Sequence, residues 1–202
     1  MTVDEVMELA PVIPVLVVER VEDALPIARA LVAGGLRALE VTLRTPAALD
    51  VIREMAQVEG AVVGAGTVVN VAQLDAVLEV GAKFIVSPGL TSSLAREVIA
   101  SETPYLPGVA NAGDIMRGMD LGLSRFKFFP AETSGGIPAL KALAAPFYEA
   151  RFCPTGGITE ASAPEWLAQP FVKCVGGSWV VPKGAIDVAQ IEALARAACA
   201  LK

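Results

Sequence analysis

The chain has 202 residues, a formal net charge of −6 and a hydrophobic fraction of 54%, and it contains no histidine. A chain of this size and apolar content can bury one core, so we predict a single domain over residues 1–202. The missing histidine excludes a Ser-His-Asp triad and argues against a catalytic zinc site, and the interspersed acidic balance argues against nucleic acid as the main partner.

Strand-like and helical patterns alternate along the chain. Residues 1–10 predict a short amphipathic helix that ends before Pro11. Apolar, strand-like runs follow at residues 12–18, 38–43, 61–64, 84–86, 105–107, 125–129, 151–154 and 172–176. Helical patterns lie between them at residues 21–33, 46–57, 71–80, 92–100, 112–121, 137–144 and 164–169, and an eighth begins at residue 187.

This alternation predicts a parallel sheet, because parallel strands need crossover connections and helices supply them. Closing the sheet removes both of its edges, so we predict a (β/α)₈ TIM barrel preceded by a short helix. A doubly wound open sheet is the alternative. In a barrel of this kind the catalytic groups lie at the C-terminal ends of the strands.

A lysine surrounded by phenylalanines marks the sixth predicted strand, Arg125-Phe126-Lys127-Phe128-Phe129. Alternation along a strand places Arg125, Lys127 and Phe129 on one face. Burial disfavours the ammonium form, and Arg125 as a second cation on that face acts in the same direction. We therefore predict that Lys127 is a nucleophile for Schiff-base chemistry. An ordinary lysine that extends to solvent is the alternative.

The second predicted strand carries charged residues opposite its aliphatic face. Glu40 and Arg44 alternate with Leu39, Val41 and Leu43, which must pack on helices, so both charges are expected to point into the barrel. A structural ion pair between them is one interpretation. With Lys127 in the same cavity, Glu40 becomes a candidate proton shuttle, which Schiff-base formation requires.

Two glycine-rich turns follow the last two predicted strands, at Thr155-Gly156-Gly157 and Gly176-Gly177-Ser178. Bare glycine backbone lets several N–H groups approach an anion, and barrels often bind phosphate after these strands. Tight turns without a ligand are the alternative for each pair. The stretch Gly64-Ala65-Gly66-Thr67 lacks the third glycine and the acidic residue of a dinucleotide fingerprint, so we expect no nicotinamide cofactor.

Six motifs in chain order resemble those of one enzyme family. They are Glu40-Val-Thr-Leu-Arg-Thr, Gly64-Ala-Gly-Thr, Ser87-Pro-Gly, Lys127-Phe-Phe-Pro-Ala-Glu, Pro154-Thr-Gly-Gly-Ile and Gly176-Gly-Ser-Trp. Together they resemble the 2-keto-3-deoxy-6-phosphogluconate (KDPG) aldolases, class I enzymes of the Entner–Doudoroff pathway. The resemblance implies a homotrimeric barrel without metal or cofactor that cleaves KDPG into pyruvate and glyceraldehyde 3-phosphate. It also implies cleavage of 4-hydroxy-2-oxoglutarate into pyruvate and glyoxylate.

The resemblance assigns roles to individual positions of this sequence. Lys127 matches the Schiff-base lysine and Glu40 the acid/base. Residues matching the part of the site around the pyruvyl group and its carboxylate are Arg44, Thr67, Pro88, Phe129 and Thr155. Residues matching the phosphate end are Gly156, Gly157, Gly177 and Ser178.

Two other functions remain open on the residues alone. An isomerase or epimerase of a sugar phosphate would use Glu40 as base and Lys127 as an electrostatic group, and a noncatalytic phosphosugar-binding module would use neither chemically. Three cysteines in no metal or disulfide pattern predict a cytoplasmic protein, and no apolar run reaches the length of a membrane span. The expected partners are small substrates and further copies of the chain, without nucleic acid or membrane.

Overall fold

The computed structural model describes residues 1–201 and contains eight strands and nine α-helices in that range. The strands are β1 (Val12–Leu16), β2 (Ala38–Thr42), β3 (Val62–Gly66), β4 (Ile85–Ser87), β5 (Tyr105–Val109), β6 (Arg125–Phe128), β7 (Arg151–Pro154) and β8 (Val175–Gly177). The helices are α1 (Val3–Glu8), α2 (Ala24–Ala33), α3 (Ala48–Met55), α4 (Val71–Glu79), α5 (Ser92–Ala100), α6 (Ala112–Asp120), α7 (Gly136–Ala144), α8 (Ala163–Leu167) and α9 (Val188–Cys199).

The strands form one parallel sheet that closes on itself. Neighbours follow the order β7-β6-β5-β4-β3-β2-β1-β8. Two parallel bridges, Phe152 to Val172 and Thr155 to Gly176, join the β7 side to the β8 side. The predicted (β/α)₈ barrel is therefore confirmed, and the open sheet is not what the chain forms.

Several predicted boundaries differ from the observed ones. The first strand ends at Leu16, the last residue paired with β2, rather than at residue 18. The third and fifth strands continue to Gly66 and Val109, because ladder pairing extends past the apolar runs. The predicted helix at residues 21–33 opens with a 3₁₀ turn at Val21–Asp23. Strand β8 starts at Val175, three residues later than predicted.

The apolar core has two layers. The larger layer lies between the sheet and the surrounding helices, while a smaller cluster fills the barrel interior. Helix α1 covers the N-terminal end of the barrel, where Val6 and Met7 pack with Ile13 and Leu106. Its first turn is held by a capping box between Thr2 and the helix, which satisfies backbone N–H groups that would otherwise lack partners.

Charged residues fasten α1 to the strands. The Arg125 Nε atom lies 2.6 Å from Asp4 Oδ1, and the Lys173 Nζ atom lies 2.5 Å from Glu8 Oε1. These pairs lie at the N-terminal end of the barrel, opposite the end where catalytic groups are expected. Within residues 1–201, no helix is long and apolar enough to cross a membrane.

A large aromatic ring occupies the barrel interior because a neighbouring strand has no side chain there. Phe84 immediately precedes β4 and is buried in the interior cluster. A Cβ atom on Gly64 of β3 would lie 2.4 Å from the Phe84 ring, closer than atoms can pack. Gly64 therefore provides the space that the Phe84 ring fills.

Candidate active site

A buried ion pair lies at the centre of the barrel. The Lys127 Nζ atom of β6 donates a hydrogen bond of 2.9 Å to Glu40 Oε1 of β2, and the two side chains are 6% and 3% exposed. Isolated charges at such burial would be very unfavourable, so each stabilises the other. The geometry gives the lysine a carboxylate within direct reach for proton transfer.

The position of Glu40 depends on a glycine of the neighbouring strand. A Cβ atom on Gly66 would lie 2.3 Å from Glu40 Oε1 and 2.7 Å from its Cγ. Any larger residue at position 66 would displace the carboxylate toward or away from Lys127. The motif Gly64-Ala65-Gly66 is thus explained by packing, with one glycine facing Phe84 and the other facing Glu40.

A small pocket opens above the ion pair. Its volume is about 190 Å³. The residues that line it are Val15, Arg44, Thr67, Pro88, Lys127, Phe129 and Thr155. The Lys127 ammonium lies 5.4 Å from the centroid of the Phe129 ring, within cation–π range. The pocket brings six of the predicted site residues together, and Glu40 joins them through its bond to Lys127.

Arg44 lines the pocket with Lys127, but it is exposed rather than buried in the barrel. Strand β2 ends at Thr42, so the alternation used to orient Arg44 does not extend to it. Arg44 is exposed in the following turn and lines both the small pocket and a larger outer chamber of about 720 Å³. Val15 also borders both cavities, so the two are neighbours.

Thr67 has a backbone conformation that its sequence does not suggest. Its φ angle is 63°, in the left-handed region that non-glycine residues rarely adopt. The residue follows the C-terminal end of β3 and faces the small pocket. Strained backbone held by its surroundings is common at functional sites, where it directs a group toward a ligand.

The two glycine pairs lie at the rim and differ in their surroundings. Gly156 and Gly157 have φ angles of 104° and 84°, which accounts for glycine at both positions. Gly176 accommodates Thr155, since a Cβ atom there would lie 2.2 Å from Thr155 Oγ1. Gly177 packs against the Trp179 ring.

Ser178 lines the outer chamber together with Trp179, Arg20 and Lys183. Gly156 and Gly157 instead lie next to Phe129, Pro130 and Glu132. Of the predicted phosphate residues, Ser178 lines the outer chamber, whereas Gly156, Gly157 and Gly177 are in the lining of neither cavity.

Arg125 does not act as the second cation expected beside Lys127. Its guanidinium is paired with Asp4 of α1 and also donates to Ser124. Both contacts lie at the N-terminal end of β6, away from the pocket. The alternation is correct, but the charge is neutralised by a residue far away in sequence. The ionic partner of Lys127 is instead Glu40, which lies 2.9 Å away.

The cysteines in the barrel wall have structural surroundings. Cys153 and Cys174 are buried in the interior cluster. A hydrogen bond from Cys153, together with burial, raises the pKa of the Cys174 thiol well above its usual value. The thiol therefore stays protonated, which does not suit a nucleophile. Among residues 1–201, no group of three or more histidine, cysteine or acidic side chains could hold a metal ion.

One polar group near the pocket wall was not predicted from sequence. The Ser87 hydroxyl donates to the Gly89 carbonyl at 2.7 Å and contacts the Tyr105 hydroxyl at 2.8 Å. Since the single Ser87 proton is used by Gly89, Tyr105 donates to Ser87. This relay supports the turn that presents Pro88 to the pocket. A Ser-Pro-Gly sequence indicates a turn, but the tyrosine behind it cannot be inferred from spacing.

Comparison with known proteins identifies the family. The family model described as "Aldolase: KDPG and KHG aldolase" matches residues 3–197. A 2-dehydro-3-deoxy-phosphogluconate aldolase of Zymomonas mobilis is 62% identical over 200 residues, covering 99% of this chain and 96% of the relative. The KHG/KDPG aldolase of Escherichia coli K12 is 49% identical, covering 96% and 92%.

The chain belongs to the KDPG and KHG aldolase family. A crystal structure of the Legionella pneumophila KDPG aldolase, with pyruvate captured as a covalent carbinolamine intermediate, superposes with a TM-score of 0.96 at 44% identity and covers 99% of each chain. The predicted family and the prediction of an aldolase are confirmed. The sugar-phosphate isomerase and the noncatalytic module are not favoured.

The burial of Tyr105 predicts a measurable pH dependence. Burial raises the pKa of Tyr105 above its ordinary value of 10.0, although the Ser87 hydrogen bond opposes part of the rise. Because the folded-state pKa is raised, the stabilising contribution is complete below pH 10 and is lost as pH rises through the folded pKa. We expect the free energy of unfolding to fall over that range.

Only two tyrosines are present, and Tyr148 is 80% exposed. In a Tyr148→Phe variant, phenolate absorbance therefore reports on Tyr105 alone. The titration midpoint should be higher in the folded protein than in urea. Equal midpoints in the two states would contradict the burial argument.

Proposed function

We propose that the chain cleaves 2-dehydro-3-deoxy-6-phosphogluconate into pyruvate and D-glyceraldehyde 3-phosphate through a Schiff base on Lys127. The buried Lys127–Glu40 pair beneath a 190 Å³ pocket is the observation that carries this proposal. Family membership supports it, since relatives with 62% and 49% identity bear KDPG aldolase names. The pocket is of a size to hold the three-carbon end of the substrate, and the outer chamber can receive the remainder.

The proposed reaction begins with proton transfer. Glu40 accepts a proton from the Lys127 ammonium across their 2.9 Å hydrogen bond, and the free amine attacks the C2 ketone. Glu40 returns the proton as the carbinolamine loses water, which leaves a cationic iminium. Glu40, again a carboxylate, then takes the C4 hydroxyl proton as the C3–C4 bond breaks and the aldehyde is released. The electron pair of that bond passes into the iminium and gives an enamine. Glu40 gives the proton to C3, and water hydrolyses the resulting iminium to pyruvate and free lysine.

The remaining side chains around the pocket are proposed to orient the pyruvyl group. Arg44 can bind its carboxylate through two parallel hydrogen bonds, and Thr67 can add a third from its constrained turn. Pro88 and Phe129 form apolar walls around the reacting carbons. Thr155 lines the same pocket and is proposed to place its hydroxyl beside the reacting carbons.

The phosphate end is proposed to bind at the rim. Ser178 lines the outer chamber, and Gly156, Gly157 and Gly177 carry no side chain of their own, so their backbone N–H groups are proposed to bind the anion. This end is remote from the breaking bond. Its binding energy therefore serves to position the substrate rather than to take part in bond cleavage.

The same site is proposed to cleave 4-hydroxy-2-oxoglutarate into pyruvate and glyoxylate. The pyruvyl end is common to the two substrates, so Lys127, Glu40 and Arg44 would serve both. Support comes from the KHG/KDPG aldolase name of the Escherichia coli relative. The smaller substrate cannot use the rim glycines, and we expect it to gain less from remote binding.

Trapping with pyruvate and sodium borohydride is the primary experiment. A reduced pyruvyl adduct should appear on the peptide that contains Lys127, because borohydride reduces an iminium to a stable secondary amine. A Lys173→Met variant is the matched control, since Lys173 forms its ion pair with Glu8 at the opposite end of the barrel. It should give the same adduct. A folded protein without any adduct would exclude the Schiff base and favour the isomerase alternative.

Replacing Glu40 tests the proton shuttle. A Glu40→Gln variant keeps the shape and a hydrogen-bond acceptor for Lys127 but cannot take up the proton. We expect kcat for KDPG cleavage to fall by about 10²–10⁴-fold. Glu8→Gln, which alters the exposed pair with Lys173, should leave kcat unchanged. A loss below about tenfold in Glu40→Gln would assign proton transfer to another group or to water.

The chain is further proposed to form a homotrimer and to work in the cytoplasm, in the Entner–Doudoroff pathway. The resemblance to the family supports the trimer and the pathway, and the three free cysteines suit a reducing compartment. Light scattering should give a mass three times that of the 20.9 kDa chain. A monomer at micromolar concentration would contradict the trimer, and recovery outside the cytosolic fraction of the native cell would contradict the compartment.

A further inference from the structure

The segment after β6 holds the loop after β7 through its backbone. The Ala131 N–H donates to the Thr155 carbonyl at 2.8 Å, and the Glu132 N–H donates to the Gly156 carbonyl at 3.1 Å. Thr155 lines the small pocket, and Gly156 and Gly157 follow it at the rim. The residues that follow the Schiff-base strand therefore determine where the neighbouring rim loop lies.

The Glu132 side chain extends this contact to a helix. Its Oε1 atom accepts a hydrogen bond of 2.9 Å from the indole Nε1 of Trp166 on α8, and Trp166 is only 1% exposed. The methylenes of Glu132 lie against Gly157, where an added Cβ atom would be 2.6 Å from Glu132 Cγ. One side chain thus contacts the rim loop on one side and a fixed, buried ring on the other.

Glu132 carries a negative charge next to the loop that is proposed to bind phosphate. The side chain is exposed, and among residues 1–201 it forms no ion pair with a lysine or arginine. A negative charge beside a loop that receives phosphate would repel the ligand. Its bond to Trp166 directs the Oε1 atom toward α8 and leaves the uncharged methylenes on the loop.

We propose that Glu132 is a positioning residue that holds Gly156 and Gly157 in place through Trp166, so that this part of the loop can accept the phosphorylated end of the substrate. The proposal rests on the proposed function of the site. The Glu132 side chain does not line the pyruvyl pocket, and Thr155, which does, is held by the Ala131 N–H rather than by Glu132, so we expect its influence to fall on substrates that reach the rim. The hydrogen bond between Lys127 and Glu40 does not involve Glu132.

The proposal predicts different outcomes for two substitutions. Glu132→Ala removes both the acceptor for Trp166 and the methylenes against Gly157, and KM for KDPG should rise by about tenfold or more with a smaller change in kcat. Glu132→Gln keeps an oxygen acceptor and the methylenes, and should restore KM to within about threefold of the wild-type value. Pyruvate trapping by borohydride should proceed at the same rate in both variants.

Glu165→Ala is the matched control. Glu165 lies on α8 next to Trp166, and the substitution removes the same charge from the same rim without touching the loop. It should leave KM unchanged. If Glu132 acted only as a repelling charge, KM would fall in both Glu132→Ala and Glu132→Gln, and the positioning proposal would be wrong. Unchanged KM in Glu132→Ala would also overturn it.

A Trp166→Phe variant tests the connection to the helix. It removes the indole donor while keeping an aromatic ring in the core, and it should raise KM in the same direction as Glu132→Ala. The double variant should be no worse than the more affected single variant, because both changes break one interaction. Additive effects would contradict the coupling. Failure of wild-type protein to trap pyruvate would instead overturn the proposed function, which separates the two results.

Discussion

The contact between Lys127 and Glu40 is the constraint on which the rest of the structure depends. Two opposite charges in a dry barrel are tolerated only when their geometry is close and nothing else competes for them. Gly66 leaves space for the carboxylate, and Phe84, admitted by Gly64, fills the interior with an aromatic ring. Gly66 of β3 is therefore required by a charge pair formed between two other strands.

The ion pairs of the barrel lie at two different levels along its axis. At the N-terminal end, Asp4 and Glu8 of α1 neutralise Arg125 and Lys173 in pairs that are partly exposed and fasten the helix. At the C-terminal end, the one buried ion pair among residues 1–201 is that of Lys127 with Glu40. Because Arg125 is engaged by Asp4, Glu40 is the close ionic partner of Lys127. In the proposed reaction, proton transfer then depends on one hydrogen bond rather than on a network.

Much of the fold was predictable because each signal in the sequence is local. Alternating strand and helix patterns predict the barrel, and strand alternation places Lys127 and Glu40 inside it. The same rule does not reach Arg44, since β2 ends at Thr42, although Arg44 still lines the pocket with Lys127. The left-handed Thr67, the Tyr105–Ser87 relay and the Asp4–Arg125 pair depend on contacts between distant residues. No spacing along the chain encodes such contacts.

The site is divided between a fixed part and an adjustable part. The pyruvyl pocket is built from side chains at the ends of packed strands, whose positions are determined by the sheet, so different substrates can share it. The rim is built from loops with glycines at positive φ, whose positions depend on contacts such as those of Glu132 with Gly156 and Trp166. Substitutions at the rim can therefore alter which aldehyde portion is accepted while the Schiff-base chemistry below is preserved.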